Sequence, residues 1–174
     1  MKNSVKITSG IYRGRSIATP GVGTHPMGER ERLALFNKIS SYLSGAAVLD
    51  AYAGSGALGI EAISHGAKNT TFIEKNAGAA RTIRENLRIL GVDAEVITGD
   101  AASFETEESF DVILADPPYD KFIAEDINNL VKFLKIDGIL VLSHPGEAPI
   151  ISNLELQDSR KYAGATLSFY AKIK

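Results

Sequence analysis

Cysteine is absent from all 174 residues, tryptophan is absent too, and histidine occurs only three times. Without thiols the chain cannot build disulfides, cysteine-ligated zinc sites, iron–sulfur clusters or a thiolate nucleophile. Three histidines leave little with which to hold a transition metal, so no metal is expected. No apolar run approaches the ~18 residues of a membrane span. The start Met1-Lys2-Asn3-Ser4-Val5-Lys6 lacks the apolar stretch of a signal peptide, and the sequence predicts a cytoplasmic protein with no membrane partner. Charge of one sign also looks scarce, with a net of −2. That figure hides a division: residues 1–45 set Lys2, Lys6, Arg13, Arg15, Arg30, Arg32 and Lys38 against Glu29 and Glu31, a balance of +5, and the remainder carries −7. A basic end on an acidic body points to a local polyanion contact, although ordinary solvated side chains give the same count.

What is present is the composition of one globular domain, 44% hydrophobic and 23% charged. From residue 46 onward short apolar runs alternate with helix-period segments, the pattern of βαβ units and a mostly parallel sheet in an α/β fold. Strands are predicted at Ala47–Asp50, Thr70–Glu74, Glu95–Thr98, Asp111–Asp116 and Ile139–Leu142. Helices are predicted at Ala57–His65, Ala77–Leu90 and Phe122–Leu134, the second with Asn76 as N-cap and Gly91 as its stop. Leu154–Gln157 and Thr166–Lys172 follow with no clear helix between them, so an antiparallel hairpin is expected to close one edge of a seven-stranded sheet. The first 27 residues differ: Val5–Ser9 and Arg15–Ala18 read as a short hairpin, and Pro20–Pro26 as a glycine-bearing loop. They form an arm, not an independent domain. A helix from about Glu29 to Leu43 follows, its apolar face made by Leu35, Phe36, Ile39, Tyr42 and Leu43.

The strongest local feature is the strand Val48-Leu49-Asp50 running into Ala51-Tyr52-Ala53-Gly54-Ser55-Gly56-Ala57-Leu58-Gly59, a G-x-G-x-x-G turn that opens a helix. Glycines let backbone approach a ligand, and helix N-termini favour carboxylate or phosphate. Glu74, closing the second strand, is the acid expected to take two ribose hydroxyls. Together these imply a nucleoside cofactor without choosing between NAD and S-adenosylmethionine. Asp50 begins the choice, since a carboxylate there can face a cationic amino-acid tail but would repel a pyrophosphate. Gly99-Asp100-Ala101 can hold an adenine through Asp100 and a backbone N–H, or Asp100 can simply cap a short helix. The deciding motif is Asp116-Pro117-Pro118-Tyr119 at the end of the apolar strand, where ligands of open α/β sheets bind. Two prolines fix φ and remove two donors, leaving the Asp116 carboxylate and the Pro117 carbonyl as a rigid acceptor-rich corner. That corner suits an exocyclic NH₂, and Tyr119 offers a face on which a flipped-out base stacks.

This combination resembles the class I S-adenosylmethionine-dependent methyltransferases of the D/N-P-P-Y type, which have a Rossmann-like fold. The resemblance extends through Lys6–Arg15, Arg30–Asn37, Asp50–Ala62, Phe72–Lys75, Asp116–Tyr119 and Arg160–Tyr170 to the RsmD-type enzymes, which methylate the N2 amine of a guanine in bacterial small-subunit ribosomal RNA. It implies a methyltransferase domain over 28–174 preceded by the basic arm 1–27. It further implies S-adenosylmethionine as cofactor, held by Asp50, Ala53, Gly54, Ser55, Gly56, Glu74, Asp100 and Ala101. Catalysis then falls to Asp116, Pro117, Pro118 and Tyr119, and RNA phosphate to Arg13, Arg15, Arg30 and Arg32. The expected partner is ribosomal RNA, free or within a small-subunit particle, met by a monomer. The chain departs from the family pattern at His25-Pro26-Met27, where Arg-Pro-Thr is usual, and at Leu33, where Glu is usual. Absence of cysteine fits, since it excludes thiolate-dependent methylation of pyrimidine C5 and radical methylation through an iron–sulfur cluster.

Three other functions share parts of the pattern. Adenine-N6 methylation needs the same acceptor corner. An NAD-dependent oxidoreductase explains the glycines but not the Asp-Pro-Pro-Tyr motif. A non-catalytic RNA-binding relic would not need its cofactor and catalytic positions intact. His144, just past the fifth strand, reads as either a strand-end turn residue or a neighbour of the site, and His65 as a helix-end residue.

Overall fold

Runs of valine, isoleucine and leucine that are buried on both faces make the centre of the molecule a parallel sheet, because such strands must be covered by helices on each side. The computed structural model describes residues 3–21 and 26–173. In chain order the elements are β1 (Ser4–Lys6), β2 (Ser16–Ala18), α1 (Glu29–Leu43), β3 (Ala47–Asp50), α2 (Ala57–Ser64), β4 (Asn69–Glu74), α3 (Ala77–Leu90) and β5 (Glu95–Thr98). They continue with β6 (Phe110–Ala115), α4 (Ala124–Val131), β7 (Leu134–His144), β8 (Leu154–Tyr162) and β9 (Ala165–Lys172). The main sheet has seven strands in the order β5-β4-β3-β6-β7-β9-β8. Its first five are parallel, and β9 runs antiparallel to both β7 and β8, so the closing hairpin is as expected from the sequence. The chain steps outward from β3 to β4 and β5, then returns to lay β6 on the other side of β3. That reversal is where open α/β sheets form their ligand crevice.

Alternation along each strand separates two cores. Leu49, Ile113, Leu140 and Leu142 pack against Ile127, Leu130 and Val131 of α4. Val48, Val112, Leu114 and Val141 point the other way, onto Leu35, Phe36, Ile39 and Leu43 of α1. Tyr42, expected on that apolar face, is instead exposed. Asn76 caps α3 by accepting from Gly78 N and Ala79 N at 2.8 and 3.0 Å, and Gly91 ends it in the left-handed region.

The expected helix Phe122–Leu134 is shorter in the structure, and the strand expected to begin at Ile139 begins at Leu134. Leu134 pairs with Phe110 across the sheet rather than ending the helix, and the ladder then slips before Val112 meets Ile139. Asp137, with φ of 63°, turns the backbone inside this bulge. At Gly138 any side chain would stand 2.9 Å from the Asp111 carbonyl oxygen. A run that is apolar at Phe133-Leu134 and again at Ile139 therefore reads as helix end plus separate strand, although it is one interrupted strand.

The β1–β2 hairpin is stitched to the body. Ile7 and Ile17 are buried with Ile60, Phe72, Ile83 and Leu87. Gly10, at φ +76°, lies so close to α2 that a Cβ there would fall 2.1 Å from the Ser64 carbonyl oxygen. Thr8 N donates to Glu61 Oε1 at 2.7 Å and Ile11 N to Ser64 O at 2.9 Å. Arg32 corrects an expectation. It is 1% exposed, its Nε pairs with the fully buried Glu61 at 3.4 Å, Nη2 donates to Lys6 O at 2.7 Å and Nη1 donates to Met27 O. Its guanidinium is consumed in fastening arm to body and is withdrawn from RNA phosphate.

Removing one partner of a buried ion pair leaves the other charge uncompensated, at a cost of about 3–5 kcal/mol. Arg32→Met is therefore expected to lower stability by roughly that amount. A urea midpoint within experimental error of the wild type would show that the pair is not what holds the arm.

Candidate active site

Each glycine of the turn after β3 meets a different need. Gly54 and Gly56 have φ of +55° and +80°, a left-handed backbone that side chains disfavour. Gly59 is helical, but a Cβ there would stand 2.2 Å from the Phe72 ring, so α2 can approach β4 only with glycine at that point. Ala53, Gly54 and Ser55 line a crevice of about 890 Å³; Gly56 contributes its conformation, behind the lining. The volume is that of a small-molecule or cofactor site.

Glu74 lines the crevice at the end of β4. Its Oε2 accepts from Gly54 N and its Oε1 from Asn76 N, both at 2.7 Å. A carboxylate offers about four lone-pair sites, so acceptor capacity remains after the backbone has fixed its orientation. That is the requirement for gripping a vicinal diol. Asp100 and Ala101 also line the crevice. Asp100 caps the 3-10 turn Ala101–Ser103 through Ala102 N at 3.1 Å and pairs with Lys75, which together hold its carboxyl below the usual carboxylate range. Asp100 is thus the helix cap that the sequence offered, and it also stands on the crevice wall.

Asp50 differs from its expectation. It is fully buried and does not reach the crevice wall; its Oδ2 accepts from Gly59 N at 2.9 Å, tying β3 to the first turn of α2. Its Oδ1 is buried without a hydrogen-bond partner. Desolvation, and then the nearby charges of Asp116 and Glu74, push its carboxyl up to about 7 despite the Gly59 N–H. A buried carboxyl with one unpartnered oxygen near two other carboxyls is an arrangement that favours a cation close by.

Asp116, Pro117, Pro118 and Tyr119 line the same crevice, with Pro117 buried and Asp116 half-buried immediately beyond β6. Burial pushes the Asp116 carboxyl up to about 6, and the Ser143 hydroxyl beside it pulls the other way. Tyr119 is 36% exposed, and its hydroxyl shares a hydrogen bond with Ser143 Oγ. Ser143 escaped sequence reading, although a polar residue closing the run Ile139-Leu140-Val141-Leu142 was the available signal. Glu31, from the first turn of α1, also lines the crevice and adds negative potential at the Tyr119 hydroxyl.

His144 resolves as a buried strand-end residue: its Nε2 bonds Ser168 Oγ at 2.8 Å and its Nδ1 bonds Pro145 O at 3.1 Å. His65 caps α2, stacks on Phe36 and bonds Ser9 Oγ of the arm at 2.7 Å. Arg13, Arg15 and Arg30 are exposed and stand outside the crevice lining. His25 lies outside the described residues. No group of three or more potential metal ligands, and no helix long and apolar enough to cross a membrane, occurs among the described residues.

The Asp116–Tyr119 corner, the glycine turn and Glu74 thus share one crevice. A family model described as conserved hypothetical protein 95, the RsmD family, matches residues 5–171. The chain belongs to this family. It is 33% identical over 162 residues to ribosomal RNA small subunit methyltransferase D of Haemophilus influenzae, covering 87% of this chain and 84% of that protein. It is 31% identical over 182 residues to YlbH of Bacillus subtilis, covering 97% and 99%. The solved structure of yhhF from Escherichia coli superposes with a TM-score of 0.89 at 28% identity, over 98% and 99% of the two chains.

Because folded Asp50 holds its proton up to about pH 7, against 3.8 for the ordinary carboxyl, the unfolded chain binds fewer protons between those values. Stability contributed by this group is present at low pH and lost as pH rises through that window. Asp50→Asn keeps an acceptor for Gly59 N and removes the charge. Its stability relative to wild type is expected to rise from near zero at pH 4 to a gain of order 2–4 kcal/mol at pH 8. Parallel urea titrations at the two pH values measure this, and a difference that does not change with pH would count against an ionised, unpartnered Asp50.

Proposed function

We propose that this protein transfers a methyl group from S-adenosylmethionine to the exocyclic N2 amine of a guanine in bacterial small-subunit ribosomal RNA. The observation that carries the reading is the Asp116–Tyr119 acceptor corner, opening into the crevice that also holds the glycine turn and Glu74. Family membership, and a relative named ribosomal RNA small subunit methyltransferase D, support it. The residues fit S-adenosylmethionine: Glu74 has acceptors left for a diol, Asp100 and Ala101 line the same crevice and would meet the adenine, and the buried Asp50 carboxyl supports a cationic ligand. When bound, the cofactor supplies an electrophilic methyl group on a sulfonium and takes up the electrons of the broken carbon–sulfur bond.

The protein's own work is positioning and electrostatics. Asp116 and the Pro117 carbonyl accept the two N–H groups of the amine and so aim its nitrogen lone pair along the transfer axis. The Pro117 and Pro118 rings prevent those acceptors from turning away. Tyr119 stacks the extruded base. After transfer the nitrogen carries one proton too many, which leaves to solvent. Phosphate contact falls to Arg13, Arg15 and Arg30. In this reading residues 1–27 are an RNA-gripping arm and 28–174 the methyltransferase domain of a cytoplasmic monomer that uses no metal. The corner accepts an adenine amine equally well, so the product decides between the two bases.

Incubation with rRNA lacking the modification, followed by nucleoside analysis, is expected to yield N2-methylguanosine. N6-methyladenosine instead would overturn the choice of base, and stabilisation by NAD in place of S-adenosylmethionine would overturn the reaction class. Asp116→Ala is expected to lower methyl transfer by about 10²–10³-fold, the usual loss for a key electrostatic group, with cofactor affinity little changed. Separately, replacing both Arg13 and Arg15 with Gln should weaken RNA binding and flatten the plot of log affinity against log salt by about 0.7 per lost contact. An unchanged slope would remove the arm from the RNA interface.

A further inference from the structure

The acceptor corner has an electrostatic problem that its own backbone cannot solve. An aspartate in an ordinary turn is held by N–H groups of the next residues, but Pro117 and Pro118 have none. The nearest two backbone donors are therefore missing, and the sheet register places a side-chain hydroxyl where they would have been useful. Ala115 of β6 pairs with Leu142 of β7, so the next residue on each strand, Asp116 and Ser143, stand side by side where the strands open into the crevice. Ser143 is 1% exposed, its Oγ is hydrogen-bonded to the Tyr119 hydroxyl, and the same hydroxyl favours the charged form of Asp116.

One direction of hydrogen bonding satisfies all three groups. An ionised carboxylate only accepts, and a serine hydroxyl has a single hydrogen to give. An arrangement in which Ser143 donates to Asp116 and accepts from Tyr119 gives each of the three groups a partner. Resting on the methyltransferase reading above, we propose that Ser143 is a positioning residue: its one hydroxyl locks the carboxylate that orients the target amine and the aromatic ring that stacks the target base. Both halves of base capture are thereby set by a side chain on β7 that itself touches neither base nor cofactor. Spending one acceptor site of Asp116 on Ser143 leaves the others for the amine, and tethering the Tyr119 hydroxyl fixes the plane against which the base must lie.

The test follows Asp116 directly, by carboxyl-carbon NMR titration of the ligand-free protein, together with kinetics. In Ser143→Ala the Asp116 titration is expected to move up by half a pH unit or more, and Ser143→Thr, which keeps the hydroxyl, is expected to restore it. Tyr119→Phe, which leaves the Ser143 donor in place, should leave that titration unchanged. In methyl transfer, Ser143→Ala should lower kcat at least tenfold and move the acid limb of the pH profile upward with the titration, while cofactor affinity stays within twofold. If Asp116 titrates identically in wild type and in a folded Ser143→Ala, the proposal is overturned. A moved titration in a protein that methylates neither guanine nor adenine would uphold the hydrogen-bond lock and overturn the function it is proposed to serve.

Discussion

Three carboxylates meet at the open edge of the parallel strands, and the surrounding structure is organised by the need to keep them there. Asp50 closes β3, Glu74 closes β4, and Asp116 follows β6. Parallel pairing brings all three strand ends to one side, so their mutual repulsion is a consequence of the fold itself. Asp50 and Glu74 are answered by backbone donors from different places, Gly59 N for the first and Gly54 N and Asn76 N for the second, while the Ser143 hydroxyl stands beside Asp116. The answers are unequal. Glu74 has two backbone donors and keeps capacity to spare, whereas one oxygen of Asp50 has none. The resulting deficit of positive charge lies close to two residues of the crevice wall, Glu74 and Asp116, and favours a cation near them.

The arm solves a second problem, how to hold a hairpin with two three-residue strands in place. So small a hairpin cannot be stable alone. Here Ile7 and Ile17 supply apolar burial, and Glu61 and Arg32 supply specificity by receiving or donating main-chain hydrogen bonds at fixed positions. A buried pair of this kind adds little net stability compared with an apolar pair, but it makes wrong placements costly. It also changes the meaning of the charge division along the chain. The Arg32–Glu61 and Lys38–Asp158 pairs each join the basic first quarter to the acidic remainder. Part of the apparent +5 is thus spent inside the molecule, and what faces outward in this first quarter is chiefly Lys6, Arg13 and Arg15 of the arm and Arg30 of α1.

Where the sequence was legible, one physical rule dominated locally. The glycine turn, the Asn76 cap and the Gly91 stop are set by backbone conformation, and residue type reports it directly. Asp116–Tyr119 was legible because two prolines leave few structural alternatives. Arg32 and Arg30 were not separable by type, since burial depends on which side of α1 meets Glu61, a residue 29 positions away. Asp50 was read as facing a ligand because its position in the chain is right, yet the close approach of α2 over Phe72 turns its carboxylate toward Gly59. Ser143 and the interrupted strand Leu134–His144 depend on register between strands distant in sequence, which no local pattern carries.

Long-range placement also links the two parts that function must coordinate. Asn86, on α3 and 2% exposed, accepts from Ala18 N and donates to Ala18 O, both at 2.9 Å, so it pairs with β2 of the arm like a piece of backbone. The same Nδ2 donates to Ser55 O at 3.1 Å, in the glycine turn. One amide group therefore fixes the arm strand and the cofactor turn relative to each other. A displacement of either must break a hydrogen bond that the other shares, in a site where an unpaired polar group is costly. The basic arm and the glycine turn are in that sense one rigid unit, joined through a single buried side chain.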